Sequence, residues 1–413
     1  MMAQGGVYVE NTLVIVGAGQ AGFSVAAKLR ALDDQRPITM VGLAPDLPYQ
    51  RPPLSKKYLL GEMTFDRLLL RPPEWYEQNR IGLRLSTWVE ELDRVAKQLR
   101  LQDGSLLAYD KLVLATGSTP RHLPGEIGGT LAGVYTIRDK ADADHLATVM
   151  KPGSKLLIIG GGYIGLEAAA VARHLGLEVT LIEMADRILA RVAARETASS
   201  IRAVHEAHGV TIRETTGLKR LIGMDGAVTG AELSDGTLLD ADLVIVGIGA
   251  TANDGLARAA GLAVQNGIVV DDRARTSDPD IFAAGDCALL PWGEGSVRLE
   301  SVQNAVDQGE AVASVLAGAE VPYRPKPWFW SDQYDLKLQT AGLNLGYDET
   351  ITRRGQREGS LSVWYYRQGR FLAVDAINDA KAYVAGKKLL EMGREADPRV
   401  VANPDADLKQ LLA

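Results

Sequence analysis

Leu13-Val14-Ile15-Val16-Gly17-Ala18-Gly19-Gln20-Ala21-Gly22 decides how this chain is read. Four apolar, mostly β-branched residues read as a short strand, and they run straight into a Gly-x-Gly-x-x-Gly turn. An Ala- and Leu-rich helical stretch follows to about Leu32, then a second apolar run, Ile38 to Val41. Strand, glycine turn, helix, strand is the unit that holds a dinucleotide. One such turn is a weak signal, but the order recurs. Leu156 to Ile159 leads into Gly160-Gly161-Gly162-Tyr163-Ile164-Gly165, a helix through Leu175, and Val179 to Ile182. Two copies predict two parallel-sheet nucleotide-binding domains.

Each glycine has a physical task. Gly17 and Gly160 permit the tight turn, Gly19 and Gly162 let backbone approach a pyrophosphate, and Gly22 and Gly165 let helix pack on strand. The phosphates then meet the N–H groups and positive dipole end of the helix. Glu183 ends the second unit, where a carboxylate accepts from an adenosine ribose and repels a 2′-phosphate. It argues for NADH over NADPH, with Arg187 close enough to weaken the argument. The first unit ends Val41-Gly42-Leu43-Ala44-Pro45-Asp46 and lacks that acid; Asp46, from the loop, is the substitute.

Composition narrows the classes. The chain has 413 residues, 46 % hydrophobic and 23 % charged, with a formal charge of −7. A mildly acidic chain has no broad electrostatic reason to bind nucleic acid or an anionic membrane. From Lys326 onward there are 13 basic and 12 acidic residues, so the C-terminal part is the place to meet an acidic partner. A single cysteine, Cys287, rules out an intramolecular disulfide or a cysteine redox pair. Met1 to Asn11 does not read as a signal peptide, and no apolar run reaches membrane-spanning length; a cytoplasmic location is expected. His205 and His208 could share a helix face, but with no third ligand they are read as an exposed polar face and no metal is expected.

Two further segments assign the first unit to FAD. Leu112 to Gly117 reads as a strand ending in a glycine turn at Thr116-Gly117. Thr276-Ser277-Asp278-Pro279-Asp280-Ile281-Phe282-Ala283-Ala284-Gly285-Asp286 reads as a strand running into Gly-Asp. This segment resembles the flavin-binding motif of the glutathione-reductase-like superfamily. The resemblance implies that Asp286 binds the FAD ribityl chain, with a helix start behind it facing the pyrophosphate. Cys287 would then stand at the start of that helix, as a small core residue.

Disulfide reductases of that superfamily, and its cysteine-dependent oxidases and peroxidases, need sulfur early in the chain. Here that region reads Pro48-Tyr49-Gln50-Arg51-Pro52-Pro53-Leu54-Ser55-Lys56. With Gly160 to Glu167, Glu300-Ser301-Val302-Gln303-Asn304-Ala305 and Trp328-Phe329-Trp330-Ser331-Asp332-Gln333-Tyr334, it resembles the oxygenase-coupled, FAD-dependent ferredoxin reductases of the putidaredoxin reductase-like family. The resemblance runs from about Asn11 to at least Lys388. It implies that Arg51 and Lys56 lie at the FAD, that Glu167 pairs with Lys56 as a catalytic couple, that backbone at Val302 faces the flavin pyrimidine, and that Trp330 lines the path to the surface. It further implies hydride transfer from NADH to FAD, then single electrons to an acidic two-iron ferredoxin serving a haem-thiolate monooxygenase or ring dioxygenase. Rubredoxin reductases, cysteine-free NADH oxidases and non-enzymatic redox sensors resembling apoptosis-inducing factor are the rival readings. One departure stands out: the helix after Val302 carries Asp307 and Glu310 where relatives carry basic residues, which points docking toward Lys387, Lys388 and Lys409.

The expected architecture is α/β, with two Rossmann-like domains and a C-terminal α+β domain. Residues 1–115 and 245–325 form the FAD domain, 116–244 the NADH domain and 326–413 the partner-facing domain.

Overall fold

The computed structural model describes residues 11–412. Residues 1–10, over most of the stretch where no signal peptide is read, lie outside them. The chain forms two compact units. One takes residues up to Gln50, Phe65–Thr119 and Thr251–Pro325. The other takes Arg51–Thr64, Pro120–Ala250 and Lys326 onward. Among the described residues no helix is long and apolar enough to cross a membrane.

The first unit is built on five parallel strands in the order Ile281–Ala283, Lys111–Leu114, Leu13–Val16, Ile38–Val41, Ile81–Arg84. All four residues of Leu13–Val16 are buried, as a central parallel strand covered on both faces requires. Helix Gln20–Ala31 buries Phe23, Val25 and Leu29 in a core with Met40, Val113, Phe282 and Val312. Helix Val302–Leu316 lies close against it. A Cβ at Gly309 would stand 2.7 Å from the Ala21 carbonyl oxygen, so this helix pair depends on a missing side chain.

The turn at Gly285 (φ 80°) does not open a helix. The chain passes through Asp286 and Cys287 into the strand Ala288–Trp292, which pairs with Ile268–Val269 and Gly295–Val297. The helix start expected behind Asp286 is therefore absent, and Cys287 sits in the turn instead. Its side chain is nevertheless buried, with Sγ 3.4 Å from the Leu114 and Ala284 carbonyl oxygens.

The second unit repeats the parallel plan: Thr211–Arg213, Glu178–Ile182, Lys155–Ile159, Leu243–Val246 and Val134–Tyr135. Beside it, Leu218–Met224, Ala227–Leu233 and Leu238–Asp240 form a small antiparallel sheet. From Trp328 the chain builds five antiparallel strands in the order Trp328–Gln333, Leu336–Gly342, Arg370–Ile377, Leu361–Arg367, Glu349–Arg354, with helix Ala380–Met392 against them. This sheet shares a core with the nucleotide-type fold: Leu336, Leu338 and Ile377 belong to one buried cluster with Leu166, Ala169 and Ile201. Each such leucine or isoleucine is worth about 1.5–3 kcal/mol when fully buried.

A polar suture crosses the same contact. Thr197 and Thr340 donate to the two Asp375 oxygens at 2.8 and 2.7 Å, Tyr365 also donates to Asp375, and the Ala194 N–H donates to the Tyr365 hydroxyl at 2.8 Å. Asp375 is 1 % exposed, and burial raises its carboxyl above the ordinary value.

His205 departs from expectation here. It lies on helix Arg195–Ala207 but is 0 % exposed, because the C-terminal sheet covers that face; its Nε2 is 2.7 Å from Gln333 Oε1. His208 follows the last helical residue, is exposed and stacks on Tyr334 at 3.8 Å. The two histidines do not form one exposed polar face.

Candidate functional site

Both glycine turns have the shape their spacing demands. Gly17 (φ 122°) and Gly160 (φ 107°) occupy backbone conformations that side chains disfavour. Cβ atoms at Gly22 and Gly165 would lie 2.0 and 2.2 Å from the carbonyl oxygens of Gly17 and Gly160. Gly19 and Gly162 are the N-caps of helices Gln20–Ala31 and Tyr163–His174, and neither helix start has a side-chain cap. A Cβ at Gly19 would meet nothing within 4 Å, and one at Gly162 only the Gly247 oxygen at 4.0 Å. Uncapped amides beside a bare Cα leave room for a pyrophosphate against the helix end, so both turns fit a dinucleotide.

In the first unit, Thr116 donates to the Asn253 carbonyl at 2.6 Å, and the Asn253 amide returns a bond to the Thr116 carbonyl at 2.9 Å. Gly117 turns at φ 70°. Asp286 accepts from Ser118 at 2.9 Å, and Arg298 donates to its carbonyl at 3.0 Å. Val302 begins its helix under a Ser301 cap, whose hydroxyl accepts from the Asn304 N–H at 3.1 Å. Asn253 and Ser118 carry no sequence signal; Ser301, inside the Glu300–Ala305 motif, is also an N-cap residue type just before a helical run. Further along that helix Gln303 bonds Asp307 at 2.5 Å, and Glu310 faces Lys28 at 3.4 Å, so the acidic surface read from sequence is partly answered by a lysine of the neighbouring helix.

In the second unit, both Glu183 oxygens accept backbone N–H bonds, from Gly161 at 2.7 Å and Ala185 at 2.8 Å. Each oxygen keeps acceptor capacity for a ribose hydroxyl. The two terminal nitrogens of the Arg187 guanidinium meet the carbonyls of Ala190 and Ala193 at 3.2 and 3.1 Å and Asp186 at 3.2 Å, while its buried Nε has no partner among the described residues.

Arg51–Thr64 also folds with the second unit. Arg51 donates to the Arg138 carbonyl at 2.7 Å. Lys56 Nζ stands 2.7 Å from Glu167 Oε2, with 3 % of the Glu167 side chain exposed. The Ser55 hydroxyl joins Oε2 at 2.7 Å, and Ser331 donates to Oε1 at 2.7 Å. A buried carboxylate thus receives an ammonium and two hydroxyls, the condition under which burying an ion pair is tolerable. Ser55 and Ser331 sit inside quoted motifs but carry no pattern that marks them as Glu167 partners.

Trp330 lies on Trp328–Gln333, its ring 5.4 Å from that of Trp328, over which Lys387 Nζ stands at 5.0 Å. The candidate residues divide between the units. Gly17, Gly19, Gly22, Thr116, Gly117, Asp286 and Val302 belong to the first; Arg51, Lys56, Gly160, Gly162, Gly165, Glu167, Glu183 and Trp330 belong to the second.

Two dinucleotide-type turns, a Gly-Asp turn and a lysine paired with a buried glutamate fit a flavin- and nicotinamide-dependent oxidoreductase. The chain belongs to the pyridine nucleotide-disulphide oxidoreductase family, which matches residues 11–309, and residues 328–412 match the reductase C-terminal family. It is 42 % identical to rhodocoxin reductase of Rhodococcus erythropolis over 97 % of this chain and 94 % of that one. Among solved structures it is similar to putidaredoxin reductase in its covalent complex with putidaredoxin, at 40 % identity and a TM-score of 0.94 over 98 % of each chain. The ferredoxin reductase for the CYP199A2 system from Rhodopseudomonas palustris also gives a TM-score of 0.94, at 39 % identity over 98 % of this chain and 100 % of that one. The cofactors of the family are FAD and a nicotinamide dinucleotide.

Proposed function

We propose that the chain is an NADH-dependent ferredoxin reductase whose partner is an acidic two-iron ferredoxin of an oxygenase system. The observation that carries this reading is the state of its cysteine. The family takes its name from disulphide chemistry, yet the one cysteine, Cys287, is fully buried, and burial pushes its thiol up, away from the reactive thiolate. Electrons must therefore leave the chain for an outside acceptor. Relatives over nearly the whole length named as reductases of small redox proteins support a ferredoxin in that role.

The chemistry, uptake of hydride from NADH and its release as single electrons, would be supplied by bound FAD. The chain's residues bind, orient and charge the site. The Gly17–Gly22 turn, with Thr116, Gly117, Asp286 and Val302, holds FAD; the Gly160–Gly165 turn holds the NADH pyrophosphate at an open helix end. Glu183 takes the ribose hydroxyls. Arg187 is drawn toward the Ala190 and Ala193 carbonyls and Asp186, which weakens its pull on a 2′-phosphate. Arg51 helps seat the flavin, and Lys56, held by Glu167, supplies positive charge that favours the reduced flavin. Trp330 contributes to the path by which electrons leave. Lys387, Lys388 and Lys409 supply the basic surface an acidic ferredoxin would approach.

The test is steady-state NADH oxidation with a panel of purified ferredoxins at low and moderate salt, against oxygen alone. Turnover should rise strongly with a cognate two-iron ferredoxin and weaken with salt. Equal rates with and without ferredoxin would make the chain an NADH oxidase. Slow reduction together with NADH-dependent dimerisation would make it a redox sensor.

A further inference from the structure

Behind Glu167 the hydrogen bonds continue. Ser331, which donates to Glu167 Oε1, accepts from Gln333 Nε2 at 3.0 Å. Gln333 Oε1 faces His205 Nε2 at 2.7 Å, and the Tyr334 hydroxyl stands 3.4 Å from His205 Nδ1. Ser331, Gln333 and His205 are 0, 1 and 0 % exposed, whereas Tyr334 is partly exposed and carries the stacked ring of His208. The line begins near the surface and ends on the carboxylate that holds Lys56.

The direction of each bond follows from its chemistry. An ionised carboxylate only accepts, so the Ser331 hydroxyl points at Glu167. The Ser331 oxygen then takes an N–H of Gln333, whose carbonyl oxygen in turn needs a donor. His205 therefore carries its proton on Nε2. Burial lowers the tendency of this ring to take a second proton, leaving Nδ1 as the acceptor for Tyr334. Every donor in the line points toward Glu167. In a water-poor interior each such bond polarises the next, and a set aligned in one sense is stiffer than its pairs taken singly.

We propose that Ser331, Gln333 and His205 are positioning residues for the Lys56–Glu167 pair. Their one-way line of hydrogen bonds fixes the Glu167 carboxylate in a single rotamer and so sets where the Lys56 ammonium is held. None of the three reaches a cofactor in this role; each acts through the next. The inference rests on the reading that Lys56 charges the flavin environment.

The test is the equilibrium reduction of bound FAD against a dye of known potential, with FAD content and thermal unfolding checked for each variant. The set is Lys56→Met, Ser331→Ala, Gln333→Leu, the Ser331→Ala/Gln333→Leu double variant, His205→Leu and His205→Gln. Lys56→Met should make FAD harder to reduce. Ser331→Ala and Gln333→Leu should shift the same equilibrium in the same direction, by roughly two- to 150-fold, the range of coupling between residues in one network. The double variant should equal Ser331→Ala alone, because Gln333 has nothing left to act through. His205→Leu should behave as Gln333→Leu does, and His205→Gln, which can donate an amide N–H to Gln333, should recover most of the wild-type equilibrium. If Lys56→Met moves the equilibrium while Ser331→Ala and Gln333→Leu do not, the positioning role is overturned and the reading of Lys56 stands. Full additivity in the double variant overturns it too, since Gln333 would then act by a route that does not pass through Ser331. If Lys56→Met moves nothing, the reading of Lys56 falls and this inference falls with it. Should Gln333→Leu fail to fold, Ser331→Ala, which removes one oxygen atom, decides alone.

Discussion

Glu183 accepts the backbone N–H of Gly161 at 2.7 Å, so the carboxylate at the end of one strand is tied directly to the glycine turn at the end of its neighbour. It would touch the adenosine ribose while bracing the loop that meets the pyrophosphate. Glu183→Ala should therefore lower kcat/KM for NADH by about one to two decades, from loss of charge-assisted bonds worth about 1.5–3 kcal/mol. The gap to NADPH should narrow. Glu183→Gln, which keeps one oxygen acceptor, should be milder. Equal wild-type kcat/KM for the two nucleotides would refute the assignment.

Lys56→Met should slow NADH-driven flavin reduction in rapid mixing and also destabilise the fold. It leaves the 3 %-exposed Glu167 without its counter-ion, a loss that costs about 3–5 kcal/mol when a buried pair is broken. Adding Glu167→Gln should return much of the stability but not the rate. Chemical denaturation beside stopped-flow kinetics separates the two effects.

His205 and Asp375 predict opposite pH behaviour. Burial, with His208 nearby, lowers the His205 pKa from its ordinary 6.5, so in mild acid the unfolded chain takes up a proton that the folded one resists. The stability contribution is whole above that value and is lost as pH falls through it, at up to about 1.4 kcal/mol per pH unit. Denaturation midpoints of His205→Gln should be less acid-sensitive than wild type between mildly acidic and neutral pH. For Asp375 burial raises the folded pKa, so its contribution is whole below the ordinary carboxyl value of 3.8 and declines as pH rises through the folded value. The stability difference between wild type and Asp375→Asn should accordingly move in favour of Asn with rising pH.

Charge reversal at Lys387 and Lys388 should raise the KM for a cognate ferredoxin and flatten its salt dependence, because rim charges act mainly on encounter. Lys387 also covers the Trp328 ring at 5.0 Å, so Lys387→Glu should perturb tryptophan fluorescence where Lys388→Glu does not. Glu310→Arg should improve turnover with foreign acidic ferredoxins. It also breaks the contact with Lys28, so stability must be measured alongside. An unchanged KM in every variant would put docking elsewhere.

The βαβ units were legible because their information is local: four buried residues, a glycine turn and a helix lie consecutively at Leu13–Ala31 and again at Lys155–His174. The family resemblance pairs Lys56 with Glu167 but is silent on Ser55, Ser331, Gln333 and His205. Ser331, Gln333 and His205 line up with Glu167 only when strand Trp328–Gln333 is laid against helices Tyr163–His174 and Arg195–Ala207, Ser55 only when the Arg51–Thr64 segment packs on the first of those helices, and no spacing encodes either contact. The histidine reading failed for the same reason: a helix with many polar residues looks solvated until a distant sheet covers one face. The helix expected after Asp286 failed locally, since the positive-φ turn at Gly285 leads into Ala288-Leu289-Leu290, a run as suited to a strand as to a helix.

The shared core of the second unit limits how this chain can be recombined. A chimera that took residues from Lys326 onward from a relative would replace Leu336, Leu338 and Ile377 at their contact with Leu166 and Ile201, together with the Ser331 bond to Glu167 and the Asp375 bond to Thr197. The exchangeable block is therefore not the C-terminal segment by itself. Helices Tyr163–His174 and Arg195–Ala207 have to travel with it, and grafts joined near residue 326 should misfold unless those two helices come from the same parent.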